Sequence, residues 1–404
     1  MSSDWAPVTL GTVLRVRHGH AFKSKFTTEK PTDYALFTLK NVCPGGGFRE
    51  ESPRYYDGPV EDRFVLGGDE VMVVLTDLSR GGDLLGFPAR VPQTAGVAYL
   101  HNQRVGRIEI LDSQSLSERF AYWLLCSPSY RSHVLTTATQ TTVLDSAPSR
   151  IEAFEFLLPP VDEQQRIAGV LDALNDKIEH NSLLARRLAD TALTRFESRR
   201  VRWRKHGSLG EIGAPIREAS RGDLPYVGLE HMPRGSTILN EWVEAAAIAN
   251  SNGFRRGDVL FGKLRPYFKK VGVAPVEGRC STEILVLRPS SDHLWGPLLG
   301  YVSSDAFIAH CVQVSRGTKM PRAEWRDSST FPIGIPDEAE AIELTREMRS
   351  LYEQAIALVY ESKTLRAVRD ALIPKLVSGA IRVQESYDPA DVLGTLSEAA
   401  PATA

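Results

Sequence analysis

The run GKLRPYFKK at 262–270 holds the residues best suited to a nucleic acid: Lys263, Arg265, Lys269 and Lys270, interleaved with Pro266, Tyr267 and Phe268 in a turn. Basic side chains grip phosphate or offer paired donors to guanine; Asn and Gln suit adenine, and Asp and Glu the cytosine amino group. The plain alternative is a charged hairpin exposed to water. Other loops beside expected strands add Glu230, His231, Thr318, Lys319 and Arg322 in the second half of the chain. In the first half, Lys40, Asn41, Thr76, Asp77, Arg80, Asn102, Gln103, Arg104 and Gln140 take similar places. Most members of such a set touch phosphate or only solvent.

Catalytic chemistry has no comparable pattern. There is no GxxxxGK(S/T) loop, no GxGxxG turn at a strand end, no (D/N/S)PP(Y/F) segment and no convincing nuclease pair of acids with a following lysine. His18 and His20 lie close, but no carboxylate or thiol stands at ligand spacing, so they read as surface loop residues. Cys43, Cys126, Cys280 and Cys311 are far apart and form no CxxC motif, which leaves buried thiols as the simplest role. The expectation is a chain that chooses where chemistry happens while partners perform it.

Two long helices are expected to position these loops. In 158–205, Leu171, Ile178, Ala185 and Ala192 form one row, and Ile167, Leu174, Asn181 and Leu188 form another. Alternating steps of three and four make the seam of a helix that packs lengthwise on another. Pro159 and Pro160 stop what precedes, Asp162 can cap, and Glu163 suits the first turn; Arg199, Arg200, Arg202, Arg204 and Lys205 suit the last, with His206-Gly207 ending it. Forty residues give a rod on the order of 60 Å. A second rod, 336–379, repeats Leu344, Leu351, Leu358, Leu365 and Leu372 at every seventh position, with Met348, Ala355 and Ser362 between. Each rod alone could simply cover a sheet. Two matched rods favour packing on each other, and Asn181 on the first seam is a candidate for fixing register.

Composition and repetition fix the scale. The chain has 404 residues, 42% apolar and 24% charged, which suits two or three globular domains. The formal charge of −2 is not that of a generic DNA binder, so phosphate contacts must come from local patches. No apolar run of spanning length occurs, and a cytoplasmic location is expected. Strands are expected at 34–40, 70–76, 225–230 and 258–262, and helices at 117–126 and 295–307. The halves correspond: Leu10-Gly11 to Leu209-Gly210, FTLKN at 37–41 to VGLEH at 227–231, FVLGGD at 64–69 to FRRGD at 254–258, TQTT at 139–142 to GTKM at 317–320, and FEFLLP at 154–159 to FPIGIP at 331–336. A repeat of globular unit and rod implies a pseudo-two-fold α+β molecule. The expected divisions are globular domains 1–158 and 206–335, helices 159–205 and 336–380, and a disordered tail 381–404.

The strings LPPVDEQQRIAGVLDALNDKI, LRAVRDALIPKLVSGAIRV, PYVGLEHM, GDVLFGKLRPYFKK and CSTEILVLRP, together with GDEVMVVLTDLSRGGDLLGFP, span nearly the whole chain. In combination they resemble the specificity subunits of type I restriction-modification systems, which act in phage defence. The resemblance implies two α/β target recognition domains, each reading half of a split, asymmetric DNA site. It also implies two long antiparallel coiled-coil helices as a spacer that docks two methyltransferase subunits, to which a motor-nuclease subunit can be added. S-adenosylmethionine, ATP and magnesium would then belong to those partners, and Glu163, Gln164 and Gln165 would contact a methyltransferase. The second rod departs from the family pattern: it begins PDEAEAIELT and lacks the glutamine, so the two docking sites need not be equivalent. A coiled-coil scaffold carrying two protein-binding domains is the competing reading.

Overall fold

The computed structural model describes residues 5–49, 53–79, 81–93, 96–140, 144–219, 222–244, 250–317 and 319–384. It is an α+β chain dividing into two compact units, Met1–Asp176 with Leu365–Ala404, and Lys177–Thr364.

In the first unit, strand Ala6–Thr9 runs antiparallel to Glu155–Leu158. An antiparallel sheet follows in the order Leu14–His18, Val105–Ile110, Val71–Val74, Pro88–Arg90. All four residues of Val71–Val74 are buried, as an apolar run covered on both faces must be. A second sheet pairs Tyr34–Phe37 in parallel with Ala98–His101, flanked by Val65–Leu66. Helices Glu118–Leu125, Pro128–Thr137 and Pro148–Glu152 then lead back to Glu155–Leu158. The strand expected through Lys40 stops at Phe37 because Thr38 caps the 3-10 turn Leu39–Asn41.

The second unit repeats these pairings, while among the described residues the strands Thr27–Thr28 and Tyr55–Tyr56 and the sheet of Thr139–Gln140, Leu144–Asp145 and Thr76–Asp77 belong to the first alone. Lys205–Ser208 runs antiparallel to Pro332–Ile335. The antiparallel sheet has the order Gly213–Ile216, Ile284–Pro289, Val259–Gly262, Val271–Val273. Tyr226–Val227 pairs in parallel with Gly278–Ser281, which Ser251–Phe254 flanks. The single helix expected over 295–307 is two, Trp295–Val302 and Asp305–Val314, because the Ser304 hydroxyl caps the second by accepting from Phe307 N at 3.2 Å.

Each unit contains a stretch of both long helices, Val161–Arg200 and Glu338–Val377. The first ends at Arg200, short of the expected His206-Gly207. Trp203 is buried against Phe196 and Tyr301, and the next residues are drawn into strand Lys205–Ser208. Asp162 lies within the first turn rather than capping it. Within the first unit, Arg369 donates to Asn175 at 2.9 Å and Arg382 to Glu163 at 2.6 Å. Within the second, Arg199 donates to Glu347 at 2.8 Å and Lys177 lies 3.4 Å from Glu361. In each unit the helices therefore run antiparallel. The first seam is buried as expected, apart from half-buried Leu188. The second is rotated: Leu351, Leu358 and Leu372 are half-buried, while Tyr352, Ile356 and Val359 lie inside. Tyr352 turns that face toward its own unit, meeting Trp295 edge-on at 5.6 Å and hydrogen-bonding Thr237. No helix among the described residues is long and apolar enough to cross a membrane. The tail lies outside the described residues from 385 onward.

Candidate nucleic-acid interface

The basic run of the second unit leaves the buried strand Val259–Gly262 and is tied down on two sides. Lys263 N donates to Glu283 O at 2.9 Å, and Ala323 N to Lys263 O at 3.0 Å. Arg265 N donates to Pro321 O at 2.8 Å, and Leu264 bridges Arg322. One loop, the 281–283 turn and residues 316, 317 and 319–322 thus form a single cluster. Arg265 and Lys269 adopt the left-handed region, at φ 51° and 48°, on either side of the 3-10 turn Pro266–Phe268. Arg322 forks onto Glu283 at 2.9 and 3.1 Å, which raises its pKa above the ordinary value. Lys269 donates to Asp305 at 2.6 Å. The Lys270 amine donates to Leu229 O; burial lowers its pKa, Arg234 adds to this, and Glu230 opposes it. Lys263, Arg265 and Lys319 have no acidic partner among the described residues, which leaves them able to meet phosphate. Glu230 is exposed, whereas His231 shapes its own turn by accepting from Gly228 N at 2.9 Å.

The first unit builds the matching place from different residues. Thr76–Asp77 pairs with Leu144–Asp145, which pairs with Thr139–Gln140. Leu75 N and Thr76 N both donate to Arg104 O, at 3.0 and 3.3 Å, bringing the Asn102, Gln103, Arg104 turn alongside. The Thr76 hydroxyl donates to Asp145 at 2.9 Å, and Asn102 accepts from Arg104 N at 3.2 Å, leaving Gln103 and Arg104 exposed. Lys40 is exposed on a separate turn.

Two candidates turn inward. Asn41 is buried, accepting from Thr38 N at 2.9 Å and donating to Arg49 O at 3.4 Å. Asp77 is buried as the hub of its loop, accepting from the N–H groups of Ser79, Leu84 and Leu85. Burial pushes the Asp77 carboxyl up, yet these donors outweigh it and leave the pKa below its ordinary value. Both residues shape loops and present nothing to a groove. The expected methyltransferase contacts Glu163 and Gln164 also point inward. Glu163 accepts from Trp5 Nε1 at 3.0 Å and from Arg382, and Gln164 bonds Ser117 N, Ser115 O and Pro159 O, each at 2.8 Å. Only Gln165 of the three is exposed. Arg80 and Thr318, and the side chain of Gln140, lie outside the described residues.

Three residues that the sequence reading did not place among the candidates join these clusters. Arg234 sits over Phe268 at 4.5 Å, Glu283 holds Arg322, and His20 bridges Asn102. Each is placed by a contact distant in sequence; aligning the turns that follow the two parallel strands would have flagged Glu283 opposite Arg104.

No family model matches the chain. It is 21% identical over 311 residues to the type I restriction enzyme MjaIX specificity subunit of Methanocaldococcus jannaschii, covering 68% of this chain and 72% of that one. The EcoDI specificity subunit of Escherichia coli is 24% identical over 36% of this chain and 32% of its own length. The EcoBI specificity subunit of the same organism is 25% identical over 44% and 33%. This chain thus spans about a third of the length of those two relatives. The solved type I restriction-modification S subunit from M. genitalium shares the fold, with a TM-score of 0.53 at 16% identity over 93% of this chain and 97% of that one. This chain is a distant relative of the specificity subunits of type I restriction enzymes.

Proposed function

We propose that the chain is the DNA-specificity subunit of a type I restriction-modification complex, selecting the site on which partner subunits act. The observation that supports this most is the repeated cluster: each unit gathers a strand-to-strand loop, a turn and a second loop into one polar surface. The clusters differ in side chains, Lys263, Arg265 and Lys319 against Thr76, Gln103 and Arg104, as two readers of an asymmetric bipartite site should. The long antiparallel helices act as the spacer, because half-sites a fixed distance apart need readers on a stiff strut. They also dock two methyltransferase subunits, and of the three residues first assigned to docking, exposed Gln165 is the one free to contribute. S-adenosylmethionine belongs to the methyltransferase subunits, and ATP and magnesium to a motor-nuclease subunit; the assembly works in the cytoplasm and this chain catalyses nothing itself.

Adenines methylated in the host genome identify the site. Purified with its methyltransferase, the chain should retard a duplex carrying that site and leave a scrambled duplex free. Equal treatment of both duplexes would refute DNA specificity and return the protein-binding scaffold.

A further inference from the structure

Two exposed apolar side chains stand in the reader loops at matching places. Leu78 is 59% exposed in the loop between Val71–Val74 and Pro88–Arg90; Tyr267 is 52% exposed in the loop between Val259–Gly262 and Val271–Val273. A single exposed apolar residue needs no explanation. Two at one topological position do, especially when each is held outward by its own device. In the first unit the Asp77 carboxylate gathers the N–H groups of Ser79, Leu84 and Leu85, so the chain folds inward after Leu78 and leaves its side chain outside. In the second, Pro266 is buried and Phe268 lies beneath Arg234, while Arg265 and Lys269 hold a backbone conformation that L side chains rarely adopt. Conformations of that kind persist where the surroundings over-determine them, and they gather at functional sites.

We propose that Leu78 and Tyr267 are wedges that enter the base stack of duplex DNA, one in each half-site. This rests on the DNA-reading function proposed above. An apolar side chain inserted between base steps unstacks them while flanking cations hold the backbone, and Lys263, Arg265 and Lys319 supply those cations in the second unit. A protein partner fits less well, since a binding face offers a broad apolar patch with few charges at its centre, whereas Tyr267 and the exposed Met320 of the same cluster stand among Lys263, Arg265 and Lys319.

The test uses the full chain with its methyltransferase and a duplex carrying the genome-mapped site, with 2-aminopurine stepped through both half-sites except at the methylated adenines. Fluorescence should rise at one step in each half-site. Tyr267→Ser should abolish the rise in one half-site and Leu78→Ser in the other, while Tyr267→Phe retains it. Specific binding with no enhanced step, or enhancement unchanged in both serine variants, would overturn the wedges and leave the DNA-reading function standing. Serine variants that release the methyltransferase yet keep the fluorescence would assign these residues to a protein contact and likewise overturn them. Failure of the unsubstituted complex to prefer the site would instead sink the DNA-reading function, and the wedges with it.

Discussion

At the start of the first long helix a fully buried amide, Gln164, ties together Ser117 N, Ser115 O and Pro159 O. At the matching position of the second stands buried Ala341, and the hydroxyl of Thr345, one turn on, does the tying: it accepts from Gly296 N at 3.0 Å and donates to His293 O at 2.5 Å. The ionic hubs differ in place as well as in charge, one centred on the first long helix and the other on strand Ile284–Pro289. In the first unit Asp172 receives Arg90, Arg119 and Trp123 at 3.0, 2.6 and 2.8 Å. In the second the central charge is reversed, with Arg288 reaching Asp258 at 2.7 and 2.8 Å and also gripping Glu218. What recurs is strand order and, at Gln164 and Ala341, burial, not the group that fills the place. Backbone pairing and apolar patterning carry such a fold, and polar locks are interchangeable as long as every buried group is satisfied.

The reversed hubs give the largest expected effect. Arg288→Met leaves the Asp258 carboxylate buried without its guanidinium and should cost about 4 kcal/mol in urea unfolding. Asp172→Leu should cost less, about 2 kcal/mol, because the Arg90 and Arg119 side chains are 29% and 56% exposed and can turn to water, leaving only the buried Trp123 Nε1 orphaned. Equal losses would mean that the two hubs are energetically alike despite their different exposure.

Next comes a pH dependence confined to one unit. Burial draws the His101 imidazole down to about 4, with Arg107 and His18 assisting and the Val105 carbonyl opposing. An unfolded imidazole titrates near 6.5, so folding expels a proton between these values. Stability should climb by about 3 kcal/mol from pH 4 to 6.5 and stay level above. Cys280 takes the corresponding place: Cys280 and His101 each face the last residue of a parallel partner strand, Val227 and Phe37. Burial raises its thiol to about 12, with Asp258 adding, so it does not titrate in this window. His101→Cys should therefore flatten the slope, and a slope that survives would place its origin elsewhere.

Gln164→Ala copies the second unit's residue into the first without supplying a Thr345, and should cost about 2 kcal/mol through three orphaned groups. A neutral result in thermal melting would show that the lock is dispensable. The smallest effect is a gain. Asn181 is fully buried and neither amide atom finds a partner among the described residues. Asn181→Leu should raise stability by about 1 kcal/mol, and a loss would argue against a register role held at a cost.

Much of this was legible because it is periodic or repeated. The heptad rows gave the long helices and the first seam, and Leu10-Gly11 against Leu209-Gly210 anchored a repeat that the strand order bears out. What escaped was set by partners distant in the chain. Glu163 and Gln164 look like exposed polar residues in their own neighbourhoods, and only contacts such as Trp5 with Glu163 turn them inward. Asn41 and Asp77 turn inward within their own loops, to Thr38 and Arg49 and to Ser79, Leu84 and Leu85, in turns that no spacing in the sequence marks. The end of the first helix was hidden likewise, since Arg202, Arg204 and Lys205 suit a helix C-terminus until Lys205–Ser208 is claimed by Pro332–Ile335. Parallel pairing and left-handed Arg265 and Lys269 have no signature in a single sequence.

Under the proposed function, two readers on paired helices turn distance along DNA into a recognised quantity. Inserting one heptad into each long helix adds roughly 10 Å, close to three base pairs at about 34 Å per turn. Sequencing the adenines then methylated in the host should reveal the original half-sites separated by a longer spacer. An unchanged spacer with methylation intact would contradict the account.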